Sequence, residues 1–307
     1  MIQSTNSILM IRPVNFGFNK ETAIDNYYQN SVINNSNEKA QREFDNMVVC
    51  LRENGVSVYV FQDDENDYTP DSIFPNNWVS FHENGDVGLF PMYAKNRRLE
   101  RRPEVLEFLE YKGFIISNIV DYSCAESDNK FLEGTGSMIL DRENRVAYCS
   151  ISNRSNEDLF IEFCEDFEFT PVLFNSFQSV DDKRLPIYHT NVMMCIATDY
   201  VIICLDSIDD KKQRKNVSDF INWSGKKLIE ISEKQVESFA GNMLELTNDN
   251  GDSVLVMSKS AEDSLDENQK NTITKYSIIV ASDINTIEVC GGGSARCMMA
   301  EIFLPKK

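Results

Sequence analysis

The chain has 307 residues, of which 42% are hydrophobic and 26% are charged, so it can bury a substantial core. Asp and Glu number 49 against 30 Lys and Arg, a net charge of −19 that disfavours nucleic acids and anionic membrane surfaces as partners. No run approaches twenty apolar residues, and the first ten residues lack the basic region of a signal peptide. Eight cysteines without a CxxC pair, mostly in apolar runs, predict buried free thiols and a cytoplasmic protein.

Taken in chain order, strand and helix patterns alternate along the whole sequence. Apolar spacing predicts helices near 38–54, 101–112, 156–167, 209–223 and 264–276, with centres about 55 residues apart. Predicted hairpins pair 78–81 with 87–92, 138–140 with 146–151, 192–197 with 200–205, and 243–246 with 253–257. A fifth hairpin would pair 298–303 with the N-terminal 7–12.

Each repeat therefore has the order strand, strand, helix, strand. Such ββαβ units predict an α/β fold of the five-bladed pseudosymmetric α/β-propeller type, with a central active site. An ordinary doubly wound α/β sheet is the alternative. No Pro-rich or Gly/Ser-rich linker interrupts the series, which predicts a single catalytic domain over 1–307, and the Asn-rich stretch 29–37 is predicted to be a mobile surface loop.

Polar and nucleophilic residues precede the first strand of every repeat. If the repeats form a ring, these five segments converge on one site. The segments are Asp71-Ser-Ile-Phe-Pro-Asn-Asn77, Glu133-Gly-Thr-Gly136, His189-Thr-Asn191, Gly241-Asn242 and Gly291-Gly-Gly-Ser-Ala-Arg-Cys297.

Cys297 is a candidate nucleophile because it follows a glycine run and an arginine at the end of such a segment. A nucleophilic cysteine needs a histidine to handle its proton, and the sequence has two. His82 falls at a hairpin turn and is expected to be exposed, so His189 is the candidate base. Glu133 would then orient His189 or hold a substrate nitrogen.

The ordered set of segments resembles the guanidine-modifying superfamily of amidinotransferases and arginine deiminases, which are five-bladed α/β-propellers. It resembles most the citrulline-utilisation hydrolases, through Arg12-Pro-Val-Asn-Phe16, Phe74-Pro-Asn-Asn-Trp78 and Met92-Tyr-Ala-Lys-Asn-Arg-Arg98. The resemblance implies that Cys297 is the covalent nucleophile, His189 the acid/base and Glu133 the third catalytic residue. It also implies that Asp71 binds the reacting end of the substrate.

Two departures from the family pattern concern the substrate. Asn77 and Asn191 stand where guanidine-processing relatives commonly carry Asp. An amide offers one acceptor and two donors, which suits a neutral ureido group better than a cationic guanidinium. Citrulline is therefore the preferred substrate from sequence. The alternative is that Asp71 and Glu133 suffice for a guanidinium, and relatives that convert arginine fully to ornithine resemble this pattern, with Asn near the Asn77 position.

A substrate α-carboxylate requires a positive partner, and Arg can bind it in a bidentate manner. Arg154 looks like the carboxylate-binding Arg of the methylarginine-hydrolase branch. Arg97 and Arg98 are further candidates.

The sequence thus predicts a hydrolase of non-peptide C–N bonds that cleaves L-citrulline to ornithine, ammonia and carbon dioxide through a covalent Cys297 intermediate. The alternatives are a guanidine hydrolase or dihydrolase acting on arginine or methylarginine, and a non-catalytic propeller that binds an amino acid. No cofactor and no metal site are expected, since no ligand spacing or phosphate loop is visible. The expected partner is a small-molecule substrate, and a homo-oligomer is allowed.

Overall fold

The computed structural model of the protein describes residues 2–29 and 33–307. Within these ranges, no helix combines the length and the apolar character needed to cross a membrane. All eight cysteines lie in these ranges and none forms a disulfide; six are buried, Cys50 is half-buried and Cys124 is exposed.

Strands supply most of the regular structure. They are β1 (Ser7–Arg12), β2 (Ser57–Gln62), β3 (Val79–Phe81), β4 (Asp86–Leu89), β5 (Asn118–Asp121), β6 (Met138–Asp141), β7 (Val146–Ser150), β8 (Thr170–Phe174), β9 (Phe177–Val180), β10 (Lys183–Pro186), β11 (Met194–Ile196), β12 (Tyr200–Ile203), β13 (Lys227–Glu230), β14 (Leu244–Thr247), β15 (Ser253–Ser258), β16 (Ile278–Ser282) and β17 (Ala300–Glu301).

Helices of different lengths lie between the strands. They are α1 (Ser36–Glu53), α2 (Pro103–Tyr111), α3 (Gly134–Ser137), α4 (Glu157–Asp166), α5 (Lys211–Trp223), α6 (Glu233–Glu237), α7 (Lys259–Ser264), α8 (Glu267–Ile273) and α9 (Asn285–Gly291).

Among the described residues, five three-stranded sheets share one plan. The sheets are β3-β4-β5, β6-β7-β8, β11-β12-β13, β14-β15-β16 and β17-β1-β2. In each, the first two strands pair antiparallel and the last two pair parallel. Four of the predicted hairpins are thereby confirmed. The fifth is confirmed as well, because Leu9 of the N-terminal strand pairs with Ala300.

The core lies between neighbouring sheets, and β1 shows how the sequence pattern produces it. Successive side chains of a strand point to opposite faces. Ile8 and Met10 pack into a cluster with β15 and β16, whereas Leu9 and Ile11 pack into a second cluster with β3. One strand therefore joins two sheets through its two faces, which explains its almost continuous apolar sequence.

Helix boundaries differ from the sequence prediction at two places. The predicted helix over 264–276 is shorter in the structure, where α8 begins after Asp266, which forms a capping box with Gln269, and ends at Ile273. Helix α7, capped by Ser258, ends at Ser264, where this range begins, and was not predicted. Helix α1 begins at Ser36, inside the predicted loop 29–37. Residues 30–32 of that loop lie outside the described residues. The hairpin β9–β10 was not predicted.

Candidate active site

Three of the five polar segments line one small cavity, and the other two contact its lining residues, Glu133 through His189 and Asn242 through Cys297. The structure thus brings together the segments that the repeats predicted to converge. Each segment ends at or just before the first strand of its sheet, so the same position of every sheet faces the same point. The cavity is lined by Thr22, Asn26, Asp71, Phe74, Asn77, Arg97, Arg154, Tyr188, His189, Gly291, Gly292, Gly293 and Cys297.

Cys297 lies on a single 3-10 turn, Ala295–Met298, directly before β17, and is 4% exposed. Its Sγ is 3.4 Å from Nδ2 of Asn191 and 3.3 Å from Nδ2 of Asn242. The sulfur of the candidate nucleophile is thus contacted by side chains from two other repeats.

His189 directly precedes the 3-10 turn Thr190–Val192, and its Nε2 is 2.8 Å from Oε2 of Glu133. Burial lowers the pKa of His189, against the opposing effect of the Glu133 carboxylate, so the imidazole is neutral near pH 7. An ionised carboxylate only accepts hydrogen bonds, so Nε2 carries the ring proton. Nδ1 is then left as a free base.

Glu133 is fully buried and ionised. Its Oε1 accepts from the backbone N–H of Tyr93 at 2.9 Å, and its Oε2 lies 3.5 Å from Nη1 of Arg154. Burial alone raises the pKa of Glu133, but the Arg154 charge and the hydrogen bond from His189 outweigh it and lower the pKa to about 2. Glu133 is therefore a permanent acceptor that fixes the orientation of His189.

Gly136 keeps this part of the cavity open. A Cβ at this position would lie 2.4 Å from Nδ2 of Asn77 and 2.9 Å from Nδ1 of His189. Any side chain here would therefore obstruct two polar atoms of the site, which explains the second glycine of the Glu133-Gly-Thr-Gly136 segment.

Asp71 presents one free carboxylate oxygen. Its Oδ2 accepts from Asn19 Nδ2 at 2.7 Å and from Thr22 Oγ1 at 3.0 Å. Its Oδ1 is buried without a hydrogen-bond partner in the part of the chain that the structure describes. Burial raises the pKa of Asp71, with the nearby Arg97 opposing the shift. A buried carboxylate with one vacant oxygen is suited to accept hydrogen bonds from a ligand.

Asn77 has a fixed orientation because Arg97 holds its carbonyl end. Nη1 of Arg97 donates to Asn77 Oδ1 at 2.7 Å, while Nε and Nη2 donate to the Glu100 carboxylate at 2.9 and 2.8 Å. The amide Nδ2 of Asn77 has no partner among residues 2–29 and 33–307. A hydrogen-bond donor therefore remains available beside the cavity.

Arg154 reaches the cavity but is already paired. Its guanidinium binds the Asp25 carboxylate through Nε and Nη2, and Nη2 also donates to the carbonyl oxygen of Thr22 at 2.8 Å. The guanidinium lies over the Tyr188 ring, 4.8 Å from its centroid. Its predicted role as a carboxylate ligand stays a prediction.

The cavity is closed by the chain segment 19–29. Asn19, Thr22 and Asp25 of this segment bind Asp71 and Arg154, and Asn26 Nδ2 donates to the Gly292 carbonyl at 3.1 Å. The cavity volume is about 20 Å³, room for about one water molecule and too small for an amino acid in this conformation. Within the described residues, no cluster of three His, Cys, Asp or Glu side chains is placed to hold a metal ion.

Two sequence predictions are not matched by the structure. Arg98 is not among the cavity-lining residues; its Nε donates to the Met92 carbonyl at 3.1 Å and lies 3.3 Å from Glu126. The expectation that His82 is exposed is wrong, since it is 3% exposed and stacks on Phe167 with ring centroids 4.0 Å apart. Burial also lowers the pKa of His82 well below its usual value.

Sequence reasoning did not assign several residues that the structure places at the site. Asn242 stands at the fourth of the five convergent segments, so its position was noticed but given no role. Asn19, Thr22 and Asp25 belong to a segment outside the repeats, and no sequence signal marked them.

Replacement of Glu133 by Gln is expected to lower stability in a pH-dependent way. The folded pKa of about 2 lies below the usual 4.5, so the ionised carboxylate stabilises the fold fully above about pH 4.5. The difference in free energy of unfolding between wild type and E133Q, up to about 3 kcal/mol at pH 7, should shrink as the pH falls from about 4.5 towards 2. Urea unfolding of both proteins at several pH values measures it, and a pH-independent difference would contradict the assignment.

With this geometry described, comparison with known proteins defines the class. The fold is similar to that of the N-terminal domain of ArgZ, an arginine dihydrolase from the ornithine–ammonia cycle in cyanobacteria. The TM-score is 0.74 and the sequence identity is 18%, and the match covers 96% of this chain and 97% of that domain. The complex of AgrE with ornithine and NAD⁺ has a TM-score of 0.75 and 19% identity. That match covers 98% of this chain but only 40% of AgrE, so this chain spans about two fifths of its length.

A dimethylarginine dimethylaminohydrolase adduct with S-methyl-L-thiocitrulline is also similar, with a TM-score of 0.64, 14% identity and 97% and 100% of the two chains covered. The fold is thus the mixed α/β fold of these proteins. A match to a family model places the chain in the guanidino-group-modifying superfamily. The family model described as N,N dimethylarginine dimethylhydrolase, eukaryotic, matches residues 12–304, and the chain belongs to this family. A search of curated protein sequences returned no match.

Proposed function

We propose that the protein is a cofactor-free cysteine hydrolase that converts arginine to ornithine, with Cys297 as nucleophile, His189 as acid/base and Glu133 as its orienting partner. The observation that carries this proposal is the mixed set of unsatisfied polar atoms beside Cys297. Asp71 Oδ1 and Asn191 Oδ1 are acceptors and Asn77 Nδ2 is a donor, all without partners in the described part of the chain.

This mixed set suits two successive substrates in one cavity. A guanidinium carries five N–H groups and needs acceptors, which Asp71 and Asn191 supply. A ureido group carries one carbonyl oxygen and needs a donor, which Asn77 supplies. A site for a guanidinium alone would need acceptors only, so the donor on Asn77 indicates that the cavity also holds a ureido group. The same set would serve a ureido group alone, and the choice of arginine as first substrate is supported by the relatives. A dihydrolase must bind the guanidino group first and the ureido group second.

The reaction follows from these positions. Nδ1 of His189 takes the proton of the Cys297 thiol, and the thiolate attacks the guanidino carbon. The protonated His189 then passes this proton to the departing nitrogen, which leaves as ammonia. Water, deprotonated by Nδ1 of His189, then releases citrulline from the sulfur. A second attack at the ureido carbon and a second hydrolysis give ornithine, ammonia and carbon dioxide. In total, arginine and two waters give ornithine, carbon dioxide and two molecules of ammonia.

The relatives favour arginine over citrulline as the first substrate. ArgZ is described as an arginine dihydrolase, an AgrE variant was crystallised with L-arginine, and the matched family is named for dimethylarginine. This support favours the guanidine alternative of the sequence analysis over hydrolysis of citrulline alone. Citrulline hydrolysis remains the second candidate, because the donor on Asn77 and the two asparagines suit a ureido group.

The five-bladed α/β-propeller belongs to the same proposal. It is supported by the shared strand order of the five sheets and by contacts of β17 with β3, β6 with β11, and β11 with β14. A single catalytic domain over 1–307, a cytoplasmic location and a small amino acid as substrate complete the proposal, with a homo-oligomer allowed. The free cysteines are consistent with a reducing compartment.

An assay of the purified chain with arginine, citrulline, dimethylarginine and agmatine tests the function. Ammonia, citrulline and ornithine are followed together. The expected result is consumption of arginine with two ammonia released for each ornithine. Release of citrulline without ornithine would indicate a deiminase, and turnover of citrulline alone would indicate the second candidate. Binding of arginine without any turnover would overturn the proposal in favour of an amino-acid-binding protein.

Replacement of Asn77 by Asp is expected to shift affinity from citrulline towards arginine. The new carboxylate would keep an oxygen on Arg97 and would replace the donor beside the cavity by a second acceptor. The ratio of citrulline to arginine dissociation constants should rise at least about tenfold, or about 1.4 kcal/mol. Calorimetric titration in a Cys297→Ala background measures binding without turnover.

The matched control is Asn118→Asp, which makes the same change of charge at an exposed position of β5. The double variant Asn77→Asp with Asn191→Asp, again with Cys297→Ala, should move the ratio further in the same direction. An unchanged ratio in both variants would show that these asparagines do not select the substrate.

A further inference from the structure

The sulfur of Cys297 lies between two amide groups. Nδ2 of Asn242 is 3.3 Å from Sγ and Nδ2 of Asn191 is 3.4 Å from it, and both asparagines are almost completely buried. Both distances lie within hydrogen-bonding range for a sulfur acceptor. N–H groups held against a sulfur are the donors whose hydrogen bonds a thiolate formed at that position would accept.

The orientation of Asn242 is determined by its other contacts. Its Oδ1 accepts from the backbone N–H of Arg296 at 3.1 Å, and its Nδ2 also donates to the backbone carbonyl of Asn191 at 3.0 Å. A flipped amide would place N–H against N–H and oxygen against oxygen at both contacts. Nδ2 must therefore face Cys297, whichever protonation state the sulfur adopts.

The side-chain carbonyl of Asn191 has no comparable hydrogen bond in the described part of the chain. Its Oδ1 is buried without a hydrogen-bond partner in residues 2–29 and 33–307, and the side chain is oriented by its contact with Sγ. Of the two donors, only Asn242 is fixed independently of the sulfur. It is also joined to the nucleophile turn itself through Arg296, the residue before Cys297.

We propose that Asn242 stabilises the Cys297 thiolate and positions it for attack, with Asn191 as the second, adaptable donor. The proposal rests on the proposed role of Cys297. It assigns a function to the fourth convergent segment, so that all five repeats contribute to the reaction. In the thiol state, the S–H group can instead donate to Asn242 Oδ1, which lies 3.6 Å from Sγ. Asn242 therefore hydrogen-bonds the sulfur in both protonation states.

Alkylation by iodoacetamide measures the thiolate form of Cys297 without any substrate, because the thiolate and not the thiol reacts. The fraction of Cys297 alkylated in the full chain is measured against pH by mass spectrometry of the peptide that contains it, so the other seven cysteines do not interfere. In Asn242→Ala the midpoint should move to higher pH by about one to two units, the effect of losing one hydrogen bond to a charged group. In Asn242→Asp it should move further, because a carboxylate would face the thiolate.

The matched control is Asn248→Ala, a buried asparagine directly after β14, the strand that Asn242 precedes. Its alkylation midpoint should equal that of the wild type. Circular dichroism establishes that each variant is folded. If Asn242→Asp does not fold, the Asn242→Ala variant alone carries the test. An unchanged midpoint in a folded Asn242 variant would overturn the proposal. Absence of turnover with every substrate would instead overturn the proposed function and leave this titration valid.

Discussion

Replacement of Cys297 by Ser is expected to abolish turnover of every guanidino and ureido substrate while the fold survives. The change exchanges one atom in a buried turn, and a hydroxyl oxygen accepts the hydrogen bonds of Asn191 and Asn242 as the sulfur does. A serine hydroxyl, however, keeps its proton far more firmly than a thiol and is a much poorer nucleophile under these conditions. Ammonia and ornithine release measure turnover, and thermal unfolding measures the fold.

Cys164→Ser provides the matched control for this experiment. Cys164 is a buried thiol on α4 in a cluster with Phe160 and Phe163, and it is not among the cavity-lining residues. Its replacement should lower stability and leave turnover per folded molecule unchanged. Mass spectrometry of protein quenched during turnover should find the adduct on Cys297. An adduct on another cysteine, with Cys297 unmodified, would contradict the assignment.

Replacement of His189 by Ala should lower kcat/KM at least about a hundredfold, the lower end for a positioned acid/base group. In the proposed mechanism, Nδ1 of His189 takes a proton from water, and the Glu133 carboxylate at Nε2 fixes the tautomer that leaves Nδ1 unprotonated. Because burial lowers the pKa of His189 below its usual 6.5, the base form persists below that pH. The acid limb of kcat/KM against pH should therefore lie below pH 6.5 in the wild type.

His82 is the matched control, since the sequence has only these two histidines. Its Nε2 is hydrogen-bonded to Ser80 Oγ at 2.9 Å, and its ring stacks on Phe167. His82→Gln should lower the melting temperature through lost packing and leave kcat/KM near the wild-type value. If the two variants exchange these effects, the assignment of the base is wrong.

Part of the site was predictable because the repeats are local patterns. Strand and helix periodicity depend on neighbouring residues, and the order of the segments before each first strand follows from the sequence itself. Asp71, Glu133, His189 and Cys297 were therefore placed at one site before any contact was known. The residue type of Arg98 and the turn pattern around His82 do not show which partners each side chain contacts. Arg98 lies outside the cavity lining, and His82 is buried where the sequence predicted exposure.

The sequence by itself determined the α/β class, the repeating unit, the pairing of β1 with the C-terminal strand, and the residue types at the convergence point. Only the tertiary structure decided how those residues face one another. The amide N–H of Asn77 points to the cavity because Arg97 binds its carbonyl oxygen. The amide N–H of Asn242 points to Cys297 because the backbone N–H of Arg296 binds its carbonyl oxygen. Periodicity is a property of residues a few positions apart. The direction of a buried amide is set by partners twenty to more than fifty positions away, which only the folded chain brings together.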